Sequence, residues 1–259
     1  MIDIADNDQS LKKRIVRFFD SSKRIDVSNF IKSASSLGEV LVFGGLLRDI
    51  ALFGAKSFNS DIDLVVDCSP EELFSFFCDG IYSFDKNKFG GYRIEVGGWT
   101  VDVWPVRETW AFKNNYVVFK GRESLLLTTI TNWDAIAFSF KDRRIIADPS
   151  YLECLKVGEL DIVLAENPNS VGVLMRILRS ICDRRARVLM PKLVKYLKQE
   201  LPNWSSKQIV AAQENVLGKV YLSEVEFYNF RDEIFSLQED LFGSSVFIKG
   251  RNFSLAFDG

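Results

Sequence analysis

Val40–Gly54 (VLVFGGLLRDIALFG), Asp61–Asp67 (DIDLVVD) and Thr100–Trp104 (TVDVW) are the stretches whose reading decides the fold. Val40–Phe43 is a short apolar run that ends in Gly44-Gly45, and LLRDIALF then carries apolar residues at helical spacing up to Gly54, a C-terminal cap. The predicted unit is strand, glycine turn, helix. Glycines at such a turn let a phosphate approach the backbone, and the first N–H groups of the helix attract anions. A tight turn with no ligand would need the same glycines. Arg48 and Asp49 fall in the first turn of the helix, where Arg48 either reaches a phosphate or pairs with Asp49 to lock the turn.

Asp61-Ile62-Asp63 opens the next strand. Residues two apart on a strand share a face, so both carboxylates point one way while Ile62 and Leu64 enter the core. Held that close they repel, unless a cation such as Mg²⁺ sits between them; the bland alternative is an exposed strand edge with two acids. Thr100, Asp102 and Trp104 share one face of a later strand, and Val101 and Val103 the other. Asp102 faces solvent unless its strand neighbours that of Asp61 and Asp63. In that case three carboxylates converge, enough to hold two metal ions roughly 4 Å apart for in-line displacement at a phosphate.

Outward from this centre, 11–20 and 26–37 read as short amphipathic helices, and Ser69-Pro70-Glu71-Glu72 as a helix start. Residues 92–96 and 100–106 alternate as strands about a Gly97-Gly98 turn. Trp133–Phe140 suits a helix, and 141–149 a turn, a short strand and a stop. Beyond about residue 150 the strand signal disappears: 151–157, 170–189, 191–200, 205–218 and 223–241 read as helices, while the final SSVFIKGRNFSLAF has no assignable pattern. The fold class is α+β, a small mixed sheet flanked by helices followed by an all-helical C-terminal half. The predicted divisions are 1–37, 38–150 and 151–259.

Composition narrows the chemistry. The 259 residues hold 33 Lys and Arg against 35 Asp and Glu, 47% hydrophobic residues and 22 phenylalanines, which excludes global disorder and points to an aromatic core. No run of about 18 apolar residues could span a membrane. The N-terminus lacks a signal-peptide pattern, and the four cysteines are scattered, so a cytoplasmic protein with buried thiols is expected. There is no histidine, which removes imidazole catalysis and His-ligated zinc.

The order FGGLLRDIALFG, DIDLVV, FGGYRIEVGGWTVDVW resembles the head of the DNA-polymerase-β-like nucleotidyltransferases. Within them it is most similar to the class II CCA-adding tRNA nucleotidyltransferases and bacterial poly(A) polymerases. MRILRSI is similar to their neck helix, and the resemblance covers roughly residues 38–185. It implies a nucleotidyltransferase head in which Asp61, Asp63 and Asp102 are catalytic and hold two Mg²⁺ ions, with Mn²⁺ as an alternative. It further implies nucleotide binding by Gly44, Gly45, Arg48, Arg176 and Arg179. The expected reaction moves a nucleoside monophosphate from an NTP to an acceptor hydroxyl and releases pyrophosphate.

The departures matter equally. The family's phosphate-gripping Arg-Arg-Asp run is Thr128-Thr129-Ile130 here, its Asn is Asp134, and its base-reading Glu-Asp pair is Gly172-Val173. About 110 residues follow the head, fewer than the family's tRNA-gripping body. Standard CCA addition is therefore not expected. By proximity, Lys88, Arg93, Arg107 and Arg122 are candidates to replace the missing arginines. Segment 176–198 carries Arg176, Arg179, Arg184, Arg185, Arg187, Lys192, Lys195 and Lys198 against Asp183 alone. It reads either as an RNA contact or as the solvated side of amphipathic helices. Trp104, Trp110, Phe112 and Trp133 lie near the motifs and read as core before base-stacking. RNA, most of all a tRNA 3′ end, is the first acceptor considered. A protein or small-molecule hydroxyl is the second, and a non-catalytic nucleotide-binding module the third.

Overall fold

The computed structural model describes residues 4–56, 58–80, 82–87, 90–237 and 246–247. Lys88 and most of the unassigned C-terminal stretch lie outside the described residues. The chain divides into two compact units, one of residues 1–129 and 133–152, the other of 130–132 and 153–259.

The first unit begins with α1 (Asp8–Phe19) and α2 (Ile25–Ala34), whose apolar faces bury Leu11, Ile15 and Phe18 and Val27, Phe30 and Ile31. β1 (Val40–Phe43) leads through Gly44 into α3 (Gly45–Phe53), and β2 (Ile62–Val66) into α4 (Pro70–Asp79). Ser69 and Glu72 cap α4 reciprocally, the arrangement that Ser-Pro-Glu-Glu predicts. Then follow β3 (Phe84–Lys86), β4 (Tyr92–Val96), β5 (Trp99–Pro105), α5 (Trp110–Lys113), β6 (Ile136–Ser139) and β7 (Arg144–Ala147). The seven strands form one mixed sheet in the order β3-β4-β5-β2-β1-β6-β7, with β2 and β5 parallel and every other neighbouring pair antiparallel. Phe30, Phe77, Phe84 and Tyr92 pack ring to ring beside it. Leu41, Val65, Ala137 and Ile146 pack with Val106, Phe112 and Leu125 in a second cluster.

Two expectations are corrected. Trp133–Phe140 is a turn followed by β6, not a helix. All four residues of β6 are buried between β1 and β7, so their apolar run lacks a polar face to betray its period. The thiols are not buried either: Cys78 is exposed and Cys68, Cys154 and Cys182 are partly so.

The second unit is mostly helical: the end of α6 (Tyr151–Val157), α7 (Ser170–Cys182), α8 (Pro191–Glu200), α9 (Ser206–Leu217) and α10 (Glu224–Ser236). It is not all-helical, because Glu159–Leu160 and Val188–Leu189 form a short parallel pair, joined by 246–247. Residues 170–189 therefore break at Cys182 into a helix and a strand. Among the described residues no helix is long and apolar enough to cross a membrane.

Candidate active site

Strand register builds the site. Alternation puts Asp63 and Val65 on one face of β2, and Asp102 and Trp104 on the same face of β5. The parallel pairing sets Asp63 directly beside Asp102. On the other side of β5 the antiparallel β4 sets Arg93 beside Asp102. β1 runs antiparallel to β2 with Val42 beside Leu64, so its C-terminal end brings the Gly44 turn to the same sheet end as Asp61. The carboxylates that the sequence singles out thus come to the sheet end that also carries the glycine turn.

A guanidinium lies among them. Arg93 donates from Nε and Nη2 to the two oxygens of Asp102, at 2.8 and 2.6 Å, and from Nη2 to Asp61 Oδ2 at 2.9 Å. The Asp102 side chain is 12% exposed, while Arg93 and Asp61 are about half exposed. The hydrogen bonds to Asp102 raise the arginine's pKa, and the charges of Asp102, Asp61 and Asp63 add to that effect against partial desolvation. Among the described residues no three acids, thiols or imidazoles form a ready-made metal cage. The donor set still suits a hard cation, since it offers carboxylate oxygen only, and one nitrogen of Arg93 already acts as a cation shared by Asp61 and Asp102. Arg93 thus stands where a divalent ion shared by Asp61 and Asp102 would stand.

The glycine turn is built for its shape. Gly44 has φ 75° and ψ −135°, a conformation open to glycine alone. Its N–H donates to Ile136 O, and its carbonyl accepts from Leu47 and Arg48. Gly45 leaves room for Arg48, whose Nη2 would lie 3.3 Å from a Cβ there. Arg48, 8% exposed, bonds Asp49 at 2.8 Å and Asp134 through Nη1. Burial works against its charge, but Asp134 and Asp49 outweigh burial and hold its pKa above the ordinary value. Beside them the buried Tyr151 hydroxyl donates to Trp133 O at 2.9 Å, and desolvation keeps the phenol neutral well above pH 10. Arg48 pairs with Asp49, as the locking reading expects, and through Asp134 it ties the turn to the segment before β6.

The remaining residues sort by place. Arg107 and Arg122 follow β5 at the end of the sheet opposite Asp61; Arg107 covers Phe119, and Arg122 pairs with Glu39 and Asp142. Thr128 and Thr129 spend their hydroxyls on the carbonyls of Leu125 and Leu126. Trp133 and Phe112 are core, Trp110 stacks on Tyr116, and Trp104 closes over Gly91, where a Cβ would meet the indole at 2.5 Å. In the helical unit Arg176 is exposed on α7, and Arg179 lies 3.7 Å from Asp183. Val173 is buried, and Gly172 fits under its N-cap Asn169.

No family model matches the sequence, and no curated protein sequence matches it. Solved structures do. A Thermotoga maritima CCA-adding enzyme complexed with tRNA matches at 18% identity and TM-score 0.63, over 88% of this chain and 54% of that one. A CCA-adding enzyme with CTP matches at 18% and 0.61, over 88% and 55%. A tRNA nucleotidyltransferase complexed with a primer tRNA and an incoming ATP analog matches at 19% and 0.56, over 79% and 60%. The chain spans about half the length of the structures it matches, and shares their fold.

Proposed function

We propose that the protein is a metal-dependent nucleotidyltransferase that moves a nucleoside monophosphate from an NTP to the 3′ hydroxyl of an RNA, a tRNA foremost, with loss of pyrophosphate. The observation that carries this reading is the register pairing of Asp63 with Asp102 beside Asp61 and the Gly44 turn, in a fold shared with tRNA nucleotidyltransferases. Asp61, Asp63 and Asp102 would hold the divalent ions, Mg²⁺ first. Such ions, when bound, lower the pKa of an attacking hydroxyl and neutralise charge on the triphosphate.

The chain's own residues do the rest. The backbone of Gly44-Gly45 and the start of α3 receive the triphosphate, since the helix N-terminus is an anion site and no Cβ projects from Gly44. Arg48 and Asp134 fix that turn and so align the phosphates with the acids. Arg176 and the exposed bases of segment 176–198 suit an RNA backbone. Standard CCA addition is not proposed, because the positions of the family's phosphate-gripping and base-reading residues serve packing and capping here.

The test is transfer of label from each of the four NTPs, labelled at the α-phosphate, to total RNA or cell extract with Mg²⁺, beside an Asp61→Ala/Asp63→Ala double variant. Label that needs the acids and is sensitive to nuclease supports the proposal. Protease-sensitive label would move the acceptor to a protein, a second reading that the missing base-reading residues favour. Bound nucleotide without transfer under every condition would leave a binding module.

A further inference from the structure

Arg93 is placed by the hairpin. Gly97 and Gly98 make the turn between β4 and β5, so Arg93 is locked opposite Asp102 as firmly as the strands are paired. Its planar fork occupies both Asp102 oxygens, and one of its nitrogens also takes Asp61. This is the position and the charge that a cation shared by the two carboxylates would have. A bidentate guanidinium–carboxylate pair is among the stronger charged hydrogen-bonded arrangements, so a divalent ion competes with it and not with water alone. The side chain is 51% exposed and carries its charge on a flexible stem, so it can leave without unpacking the sheet. Once released it stays at the sheet end that also carries the Gly44 turn, with β5 and β2 between them, so a triphosphate running from that turn across the acids would come within its reach.

We propose that Arg93 is a positioning residue that alternates between two anions: it neutralises Asp102 and Asp61 in the free protein, and is displaced by the divalent ion onto the phosphates of the nucleotide. This rests on the reading of Asp61, Asp63 and Asp102 as metal ligands. The free protein then binds metal weakly, because most molecules hold the acids in the arginine-paired state. Apparent affinity falls by the fraction that is competent. The nucleotide gives the displaced guanidinium a new partner, so the acid site is exposed when there is a substrate to use it.

The test is Mn²⁺ binding to the free protein, followed by electron paramagnetic resonance, for wild type, Arg93→Ala, Arg93→Lys and Asp63→Asn, together with binding of each NTP with Mn²⁺ present. Circular dichroism checks that each variant is folded. Arg93→Ala is expected to tighten Mn²⁺ binding about tenfold and to weaken NTP binding by a similar factor, about that of a paired state populated ten to one. Arg93→Lys keeps the charge and loses the fork, and is expected to tighten Mn²⁺ severalfold. An Arg93→Lys affinity equal to wild type assigns the effect to net charge and overturns the displacement. Saturable Mn²⁺ binding that Asp63→Asn abolishes but Arg93→Ala leaves unchanged or weaker overturns this proposal alone. No saturable Mn²⁺ binding in any folded variant overturns it together with the metal reading of the acids.

Discussion

Arg48 shows how a motif residue can be spent on holding the fold. It is buried with Asp49 on one side and Asp134 on the other, and a guanidinium so placed reaches a phosphate only by abandoning both. Removing one partner of a buried pair leaves the others charged and desolvated, which costs about 3–5 kcal/mol. Arg48→Ala is therefore expected to lower stability by about that amount in urea unfolding. Asp134→Asn, which keeps a hydrogen-bond acceptor and leaves Asp49 in place, should cost distinctly less. Retained NTP affinity in Arg48→Ala at temperatures where it is folded would confirm the locking role; loss of affinity with no loss of stability would restore the phosphate role. The thiols give a simpler contrast. Burial, with the charges of Glu72 and Asp67 behind it, pushes the Cys68 thiol up to about 12, while Cys78 is exposed. Iodoacetamide at pH 8 should label Cys78 well before Cys68, as mass spectrometry of digests will show, because the thiolate is the nucleophile. At this scale the sequence was informative about Asp61, Asp63 and Asp102, and nearly silent about Asp134. No local pattern says that an acid 86 positions away will meet Arg48.

Among the elements, legibility followed periodicity. β4 and β5 were plain because alternation and a two-residue glycine turn fix both elements and their register. Counting outward from Gly97-Gly98 pairs Arg93 with Asp102, so the guanidinium at the acid edge could have been found from the chain alone. β6 was hidden because a strand buried on both faces shows no alternation of apolar and polar residues. The short strands of the helical unit were hidden by their length of two residues. Asp161, between them, shows a cap that no sequence rule reveals: its Oδ1 accepts from Leu193 N at 3.0 Å, in the first turn of α8, whose own N-cap Met190 has no side-chain acceptor. Asp161→Ala is expected to cost about 1 kcal/mol, the usual worth of a cap. Burial raises the Asp161 pKa, and the hydrogen bonds from Leu193 and Ile162 oppose this only in part. The folded state thus binds the Asp161 proton more tightly than the unfolded chain, and from about pH 4 up to the folded pKa this residue's contribution to stability falls as pH rises. Asp161→Asn keeps the acceptor and removes the charge, so thermal melts should show it gaining on wild type between pH 4 and pH 7. A constant difference across that range would exclude the linkage.

At the scale of the whole molecule, the question is whether the helical unit contacts RNA, and the eight basic residues of segment 176–198 do not answer alike. Arg184 is buried, Arg179 stands by Asp183, and Lys198 donates to Leu237 O at 2.7 Å, so these three have work inside the protein. Arg176, Arg185, Arg187, Lys192 and Lys195 are exposed. The sequence could count the charges but could not sort them, because spacing does not distinguish a lysine that spans a helix end from one that faces water. Only the exposed set can neutralise phosphates without a structural penalty. Each phosphate contact releases counterions and contributes about 0.7 to the salt slope on single-stranded RNA and about 0.9 on a duplex, by analogy with DNA. If Arg185, Arg187, Lys192 and Lys195 contact the acceptor, changing all four to Gln should weaken tRNA binding uniformly across sequences and lower the slope of log K against log salt by about 3. Lys198→Gln should leave that slope unchanged while lowering thermal stability. Filter binding at several salt concentrations separates the two. An unaltered slope in the fourfold variant would make the basic segment a solvated face and count against RNA as the acceptor, whereas the expected drop would show that these four side chains hold a polyanion.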